Sequence, residues 1–311
     1  VADGAADIVV VDNEASPGPL AAVRSMPGVR ILAPGRNLGF AGGCNFAAEH
    51  ATGEVLVFVN SDAEVRPGAL PALVRRVGDP GIGLASASIR LADDPDLLNS
   101  AGNPVHFLMF SWVGGFREPA LRHAEVSEVA SITGVAFAVR REVWDMLGGF
   151  DPDYLAYCED VDLSLRAWQA GLRVVHEPEA VVLHHYDFAR NPAKLYLLER
   201  NRLMNLIVLP ARRTQLLVAL PAILVEGGIL IAALRDGWGR DKVAGWRWLV
   251  AHRSSLAARR RAVQAARRVS DRQLAHLLRG PLDPPPGLGP GVPAPVTRGL
   301  ARYWTWAVQR L

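Results

Sequence analysis

At 311 residues, half of them hydrophobic and with a formal net charge of only +3, the chain can bury a large core and lacks the composition of a disordered protein. Its arginines crowd into Arg212-Arg213 and the stretch from Arg253 to Arg272. Apolar and aromatic residues accompany them there, which favours an anionic membrane surface as neighbour over nucleic acid. The two cysteines, Cys44 and Cys158, have no metal-ligand spacing and read as free thiols of a reducing compartment.

Ile8 to Val11 predicts the first strand, with Asp12-Asn13 at its carboxyl end and Ser16-Pro-Gly18 as the following turn. A helical stretch, Leu20 to Ser25, leads to a second apolar run, Val29 to Leu32. Arg36-Asn-Leu-Gly-Phe-Ala-Gly-Gly-Cys-Asn45 then opens a helix that continues to about Ala51. Its glycines let backbone approach a ligand closely, and a new helix N-terminus favours an anion; ordinary strand-to-helix geometry has the same signature.

Val55 to Val59 is too short for a helix and mostly β-branched or aromatic, so it reads as a buried parallel strand. Asn60, Ser61 and Asp62 sit at its carboxyl end, the edge where open α/β sheets bind ligands. A carboxylate there, beside an amide and Glu64, suits a hard divalent cation and the diphosphate it carries. A turn capping the next helix is the competing reading.

Pro67 starts a helix to about Val77, and Ile82 to Ile89 supplies another strand. Arg90 to Glu128 reads as a long irregular excursion over the sheet that shapes an acceptor pocket. Ser131-Ile-Thr-Gly-Val-Ala-Phe-Ala-Val139 alternates small and apolar residues; Arg140-Arg141 passes into a helix ending at Gly148-Gly149, before Phe150-Asp151. The next helix begins near Glu159 and ends at Gly171, and Val174-Val175 and Val181 to Leu183 bracket a turn at Pro178 before His184-His185.

In Tyr157-Cys-Glu-Asp-Val-Asp-Leu-Ser-Leu-Arg166, carboxylates occupy the first turn of that helix, where unpaired amides keep a carboxylate ionised and fixed in direction. That suits a general base, and a merely charged first turn is the alternative. Asp162 points to another face from Asp160 and pairs with Arg166 at i+4.

These segments, in this order, resemble glycosyltransferase family 2, in the branch of bacterial rhamnosyltransferase-like enzymes. The likeness rests on Asp12, Asn37-Leu-Gly-Phe-Ala-Gly-Gly, Asn60-Ser-Asp62, Thr133-Gly134 with Arg140-Arg141, Gly148-Gly-Phe-Asp151 and Glu159-Asp-Val-Asp-Leu-Ser-Leu-Arg166. It covers most of residues 6 to 205. The resemblance implies an α/β protein of GT-A type, a mixed sheet flanked by helices that binds a nucleotide-sugar donor along its carboxyl edge.

On that resemblance Asp12 meets the nucleoside base, and Asn37, Gly42 and Asn60 complete the donor site. Asp62 matches the metal-binding carboxylate for Mg or Mn, with Glu64 as the other candidate. His184 matches a histidine that completes the metal shell, and His185 is an equal candidate. Asp160 matches the catalytic base, with Glu159 beside it, and Arg200 is placed to reach the donor phosphates. The reaction expected is inverting transfer to a hydroxyl of a glycan or lipid-linked acceptor in cell-envelope polysaccharide synthesis, at the cytoplasmic face of the bacterial inner membrane. A strand and helix normally precede the valine-rich strand in this family, and only a few residues precede Ile8, so the expectation is a catalytic domain, residues 1–205, lacking its first strand.

Residues 206–280 read as a helical membrane-associating region. Leu216 to Leu234 is almost unbroken apolar sequence interrupted by Pro221, Glu226 and Gly227-Gly228, which fits an interfacial or re-entrant hairpin as well as a span. Trp246, Trp248 and the arginine-rich stretch from Arg253 to Arg268 fit an amphipathic segment on anionic headgroups; a soluble helical subdomain is the alternative. Residues 281–297 read as a proline- and glycine-rich flexible linker, and 298–311 as a short helix whose Trp304 and Trp306 touch the membrane again. A nucleotidyltransferase would need a basic glycine-rich loop near its first strand, which is not seen. A catalytically silent binding module would lack Asp62 or Asp160, and both are present.

Overall fold

The computed structural model describes residues 7–14, 17–185, 193–287 and 291–311. Strand β1 (Ile8–Val11), helix α1 (Pro17–Arg24) and strand β2 (Val29–Leu32) form a small βαβ unit, with Ile8 opposite Val29 and Val11 opposite Leu32 in parallel register. Helix α2 (Gly39–His50) follows, then β3 (Val55–Val59), β4 (Ala63–Val65), α3 (Ala69–Gly78) and β5 (Ile82–Leu91). The excursion contains short strands β6 (Leu98–Ser100), β7 (Val105–His106) and β8 (Ser127–Glu128). Next come β9 (Ala136–Arg140), α4 (Arg141–Leu147), α5 (Glu159–Gln169) and β10 (Arg173–His184).

The main sheet has the order β3-β9-β5-β10-β4, with β6 on β5 and β8 on β10. Alternation along its strands separates two apolar faces. Ala136, Ala138, Ala85 and Val175 pack with Leu73 and Val77 of α3 on one side. Phe137, Val139, Leu84 and Val174 pack with α2, α4 and α5 on the other. Phe58, Phe137, Trp144 and Phe150 cluster there, with Phe58 at 4.8 Å from Phe137 and 4.7 Å from Trp144 between ring centroids. Deleting one such ring costs about 3–5 kcal/mol in a typical core.

Two strand expectations change. β3 runs antiparallel to β9, Val55 opposite Arg140 and Val59 opposite Ala136, and among the described residues it pairs with β9 alone. A short apolar run signals burial but not direction, because direction is decided by which segment returns beside it. The two runs around Pro178 form one strand, β10, whose register against β5 slips between Glu177 and Val181. The proline is accommodated as an irregularity, as its missing N–H requires.

Beyond the sheet lie α6 (Lys194–Val208), α7 (Arg212–Arg235), α8 (Gly239–Ala251), α9 (Arg253–Ala266), α10 (Asp271–Leu274), β11 (Leu278–Arg279) and α11 (Ala294–Val308). The stretch expected as a span or hairpin is one continuous 24-residue helix, α7, through Pro221 and Gly227-Gly228. A proline at this place frees the carbonyl four residues earlier, and the Tyr303 hydroxyl donates to that Leu217 carbonyl at 2.5 Å. Glu226 is accommodated too. Its carboxylate pairs with Arg202 and, at 2.8 Å, with Lys242, and accepts from Trp246 Nε1 at 3.0 Å. Burial opposes its ionisation, but Arg202 and Lys242 outweigh burial and hold it below the usual range.

The arginine-rich helix also differs from expectation. Arg259 pairs with Asp151 and, at 2.7 Å, with Asp162. Arg260 donates to the Ile207, Val208 and Pro210 carbonyls, and Arg267 to the Leu209 carbonyl and Asp271. These side chains tie α9 to the catalytic layer instead of facing headgroups. Trp248 stacks on His252 at 3.9 Å, and Trp304 is buried against Phe107 at 4.9 Å, while Trp306 is half exposed. Within the expected linker Leu282 is buried, and residues 288–290 lie outside the described set.

Candidate active site

Three carboxyl-edge segments meet where β3 ends. The Asn60 amide donates to the Val135 carbonyl at 2.8 Å, and Asn60 Oδ1 accepts from the Ser61 amide at 2.9 Å, which sets the turn that presents Asp62. β4 then runs antiparallel to the end of β10, placing His184 opposite Ala63. His184 Nε2 consequently lies 3.3 Å from Asp62 Oδ1. His185, by contrast, is exposed, and its amide donates to the Asp62 carbonyl at 3.2 Å. Glu64 is exposed and paired with Arg66 at 2.9 Å. The sequence-expected pair Asp62 and His184 is therefore brought together, and Glu64 is taken up by Arg66.

The His184 ring is oriented from behind. Its Nδ1 lies 3.1 Å from Asn99 Oδ1, a contact that sets the ring plane with Nε2 toward the Asp62 carboxylate. Burial keeps the imidazole below its ordinary pKa, although Asp62 pulls the other way. An imidazole nitrogen and a carboxylate oxygen facing one another across 3.3 Å are a donor set that a divalent cation fits. Among the described residues no group of three or more His, Cys, Asp or Glu side chains is placed to hold a metal ion. The described residues thus offer two ligands, and a cation would draw the rest of its shell from elsewhere, substrate oxygens and water included.

Asp160 sits at the start of α5, one peptide away from the same edge. Its carboxylate accepts from the amides of Val161, at 2.8 Å, and Gly134, and from Asn103 Nδ2 at 3.3 Å. Burial lifts its pKa to about 6 against those hydrogen bonds, which pull it down. Glu159 is 5 % exposed and its Oε2 has no hydrogen-bond partner. Burial, and then Asp160 beside it, hold its carboxyl well above the usual range. Of the adjacent pair, Asp160 is the one that ionises near neutrality.

Residues 99–103 were read only as part of an irregular excursion. In the structure Asn99 orients His184 and Asn103 orients Asp160, with Asn103 Oδ1 accepting from Ser100 Oγ at 3.0 Å. Two asparagines four apart beside a glycine are the only sequence trace of this arrangement. The segment is largely buried, which a polar excursion does not announce.

The glycine-rich segment docks on the loop before α5. Asn13 clasps it, accepting from the Leu38 amide at 2.6 Å and donating to the Gly39 carbonyl at 2.8 Å. Gly39 has φ +70, and a Cβ there would meet the Leu155 carbonyl oxygen at 2.6 Å. Asn37 is exposed and accepts from the Gly39 amide at 2.8 Å; Gly42 lies against Leu38, and the Asp12 amide donates to the Leu32 carbonyl of β2 at 2.8 Å. Asn45 bonds both the amide and the carbonyl of Phe150.

Leu155, Tyr157 and Cys158 all have positive φ, a costly conformation for such residues that persists only when the surroundings hold it. Helix α6 does the holding. Asn201 Nδ2 reaches the carbonyls of Tyr154, Ala156 and Tyr157, and Asn205 reaches that of Cys158. Arg200 belongs to this clamp. It is 3 % exposed, donates to the Asp153 and Tyr154 carbonyls at 2.6 and 3.1 Å, and stacks over Trp248 at 4.5 Å. Its guanidinium is engaged by backbone, not presented to donor phosphates as the sequence suggested, because a helix-end arginine reads the same in either setting. The Asp162–Arg166 pair forms as expected, at 2.7 Å.

The sequence profile described as Glycosyl transferase family 2 matches residues 3–147. N-acetylglucosaminyl-diphospho-decaprenol L-rhamnosyltransferase of Mycobacterium tuberculosis is 30% identical over 213 residues, which cover 60% of this chain and 69% of that protein. The chain belongs to glycosyltransferase family 2. Another relative, O-antigen biosynthesis protein RfbC of Myxococcus xanthus, is 32% identical over 154 residues, 47% of this chain and 12% of that one. Among solved structures, GalNAc-T7 with UDP, GalNAc and Mn2+ aligns with a TM-score of 0.54 at 20% identity, over 65% of this chain and 42% of that chain. That likeness shows the GT-A fold, and the chain spans less than half of that structure. As a family 2 glycosyltransferase, the protein carries its acidic turn and its α5 carboxylates on one edge of this fold.

Proposed function

We propose that this chain is an inverting, metal-dependent glycosyltransferase that moves a sugar from a nucleotide-diphosphate donor to a hydroxyl of a glycan or lipid-linked acceptor in cell-envelope polysaccharide synthesis. The observation that carries the reading is the shared support of the two functional groups. The segment from Asn99 to Asn103 reaches both: Asn99 lies 3.1 Å from His184, whose Nε2 faces Asp62, and Asn103 donates to Asp160 at 3.3 Å. Asp160 accepts the proton of the acceptor hydroxyl as its oxygen attacks the anomeric carbon opposite the departing diphosphate, so configuration inverts without a covalent sugar intermediate. Asp62 and His184 would hold a divalent cation, whose charge would offset that of the leaving diphosphate. Asp12, Asn37, Gly42 and Asn60 are assigned to the donor side. Arg200 is assigned to positioning the loop before α5.

The mycobacterial relative's name supports a deoxyhexose such as rhamnose as donor sugar and a polyprenyl-diphosphate-linked acceptor. A membrane-side location, at the cytoplasmic face of the inner membrane, agrees with such an acceptor and with the presence, among the described residues, of a helix, α7, long and apolar enough to cross a bilayer. Incubation with labelled nucleotide sugars, with and without chelator, tests the reading. The expected result is chelator-sensitive transfer with an inverted anomeric centre by NMR. Retained configuration, or full transfer in chelator, would contradict it.

A further inference from the structure

One face of α7 is unpartnered along its whole length. Leu216, Leu220, Ile223, Leu224, Ile231 and Leu234 are each 61–71 % exposed. At 1.5 Å per residue the strip is roughly 27 Å long, so length alone would permit crossing a bilayer. The opposite face decides otherwise. Thr214, Val218, Pro221 and Ala233 are buried, and Glu226 is locked into the Arg202–Lys242–Glu199 cluster, so drawing α7 across a bilayer would strip that cluster apart.

The basic residues lie at the margins of the strip. Arg212 and Arg213 are exposed at one end. At the other, a cavity of about 570 Å³ lined by Leu234, Arg240, Val243, Ala244 and Arg247 opens between α7 and α8. Arg235 is paired with Asp236 at 3.0 Å, whereas Arg240 and Arg247 are exposed on the same side of α8 as Val243 and Ala244. An apolar floor flanked by two arginines is the complement of an acyl chain and its phosphate.

Resting on the membrane-side reading above, we propose that α7 lies in the plane of an anionic phospholipid surface, its leucine and isoleucine strip immersed, with Arg240 and Arg247 holding a lipid phosphate in the cavity beside Leu234. The full chain is tested by co-sedimentation with phosphatidylcholine vesicles with and without phosphatidylglycerol. Binding is expected only to the anionic vesicles. Arg240→Glu with Arg247→Glu should lower partitioning by more than roughly 25-fold, from about fivefold for each arginine lost, and Leu220→Asp with Ile223→Asp should abolish it. Thermal melts of both variants should match the parent, and turnover on a water-soluble acceptor should persist. Absence of turnover in the parent would count against the transferase reading while leaving the lipid result standing. Equal binding to neutral vesicles, insensitivity to the arginine changes, resistance to alkaline carbonate extraction, or a parent dimer dispersed by the α7 changes would each overturn the proposal.

Discussion

His184 Nε2 stands 3.3 Å from Asp62 Oδ1, and the opposite nitrogen of the same ring is fixed by Asn99 at 3.1 Å. The pair proposed to hold a divalent cation is thus oriented by the protein itself. Asp62→Ala should weaken Mn2+-dependent donor binding by about 10- to 100-fold, and Asn99→Ala by a smaller factor, as loss of an orienting partner does. Titration calorimetry with a nucleotide sugar, with and without Mn2+, checks both. Mn2+-dependent donor binding unchanged in Asp62→Ala would oppose the assignment.

Asp160 should set the acid limb of the pH profile. Its folded pKa is raised by burial to about 6, and a general base works only when ionised. Turnover should therefore fall as pH drops through about 6. Asn103 donates to the ionised form and pulls that pKa down, so Asn103→Ala should move the acid limb to higher pH while leaving the high-pH plateau largely intact. An unmoved limb would mean that Asn103 does not act through Asp160.

The same burial links the base to stability. A carboxyl whose folded pKa lies above its unfolded value favours folding below the unfolded value, near 4, and loses that contribution as pH rises through about 6. Asp160→Asn removes this penalty at neutral pH, so the variant should melt at or above the parent's temperature at pH 7.

The cluster behind α7 predicts a large effect. Lys242 is 1 % exposed and Arg202 is 4 % exposed. Removing one partner strands a buried charge, so Lys242→Ala should destabilise by about 3–5 kcal/mol in urea unfolding. Tyr303→Phe, which uncovers only the Leu217 carbonyl freed by Pro221, should cost about 1 kcal/mol.

Much of this arrangement is legible in the sequence because ligand-edge geometry leaves local marks. A strand ending in Asn60-Ser-Asp62 and a helix opening on Glu159-Asp160 each announce themselves within a few residues. What escaped is non-local. Asn99 and Asn103 act through partners more than fifty residues away, and nothing in their own neighbourhood marks them. The direction of β3 depends on β9, not on its own valines. For α7 and α9, periodicity tells which residues share a face but not whether that face meets lipid, carbonyls or carboxylates. Arg259 and Arg260 turn inward, while Arg253 and Arg261 of the same helix are exposed, as are Arg240 and Arg247 of α8 and Arg212 and Arg213 at the start of α7.

The most direct measurement is a paired one on Asp160→Asn: donor affinity by calorimetry and sugar transfer by product formation, in the same preparation. The account predicts parent-like donor affinity with turnover reduced by about 100- to 10,000-fold. Near-normal turnover in that variant would remove Asp160 from the role of base and with it the mechanism.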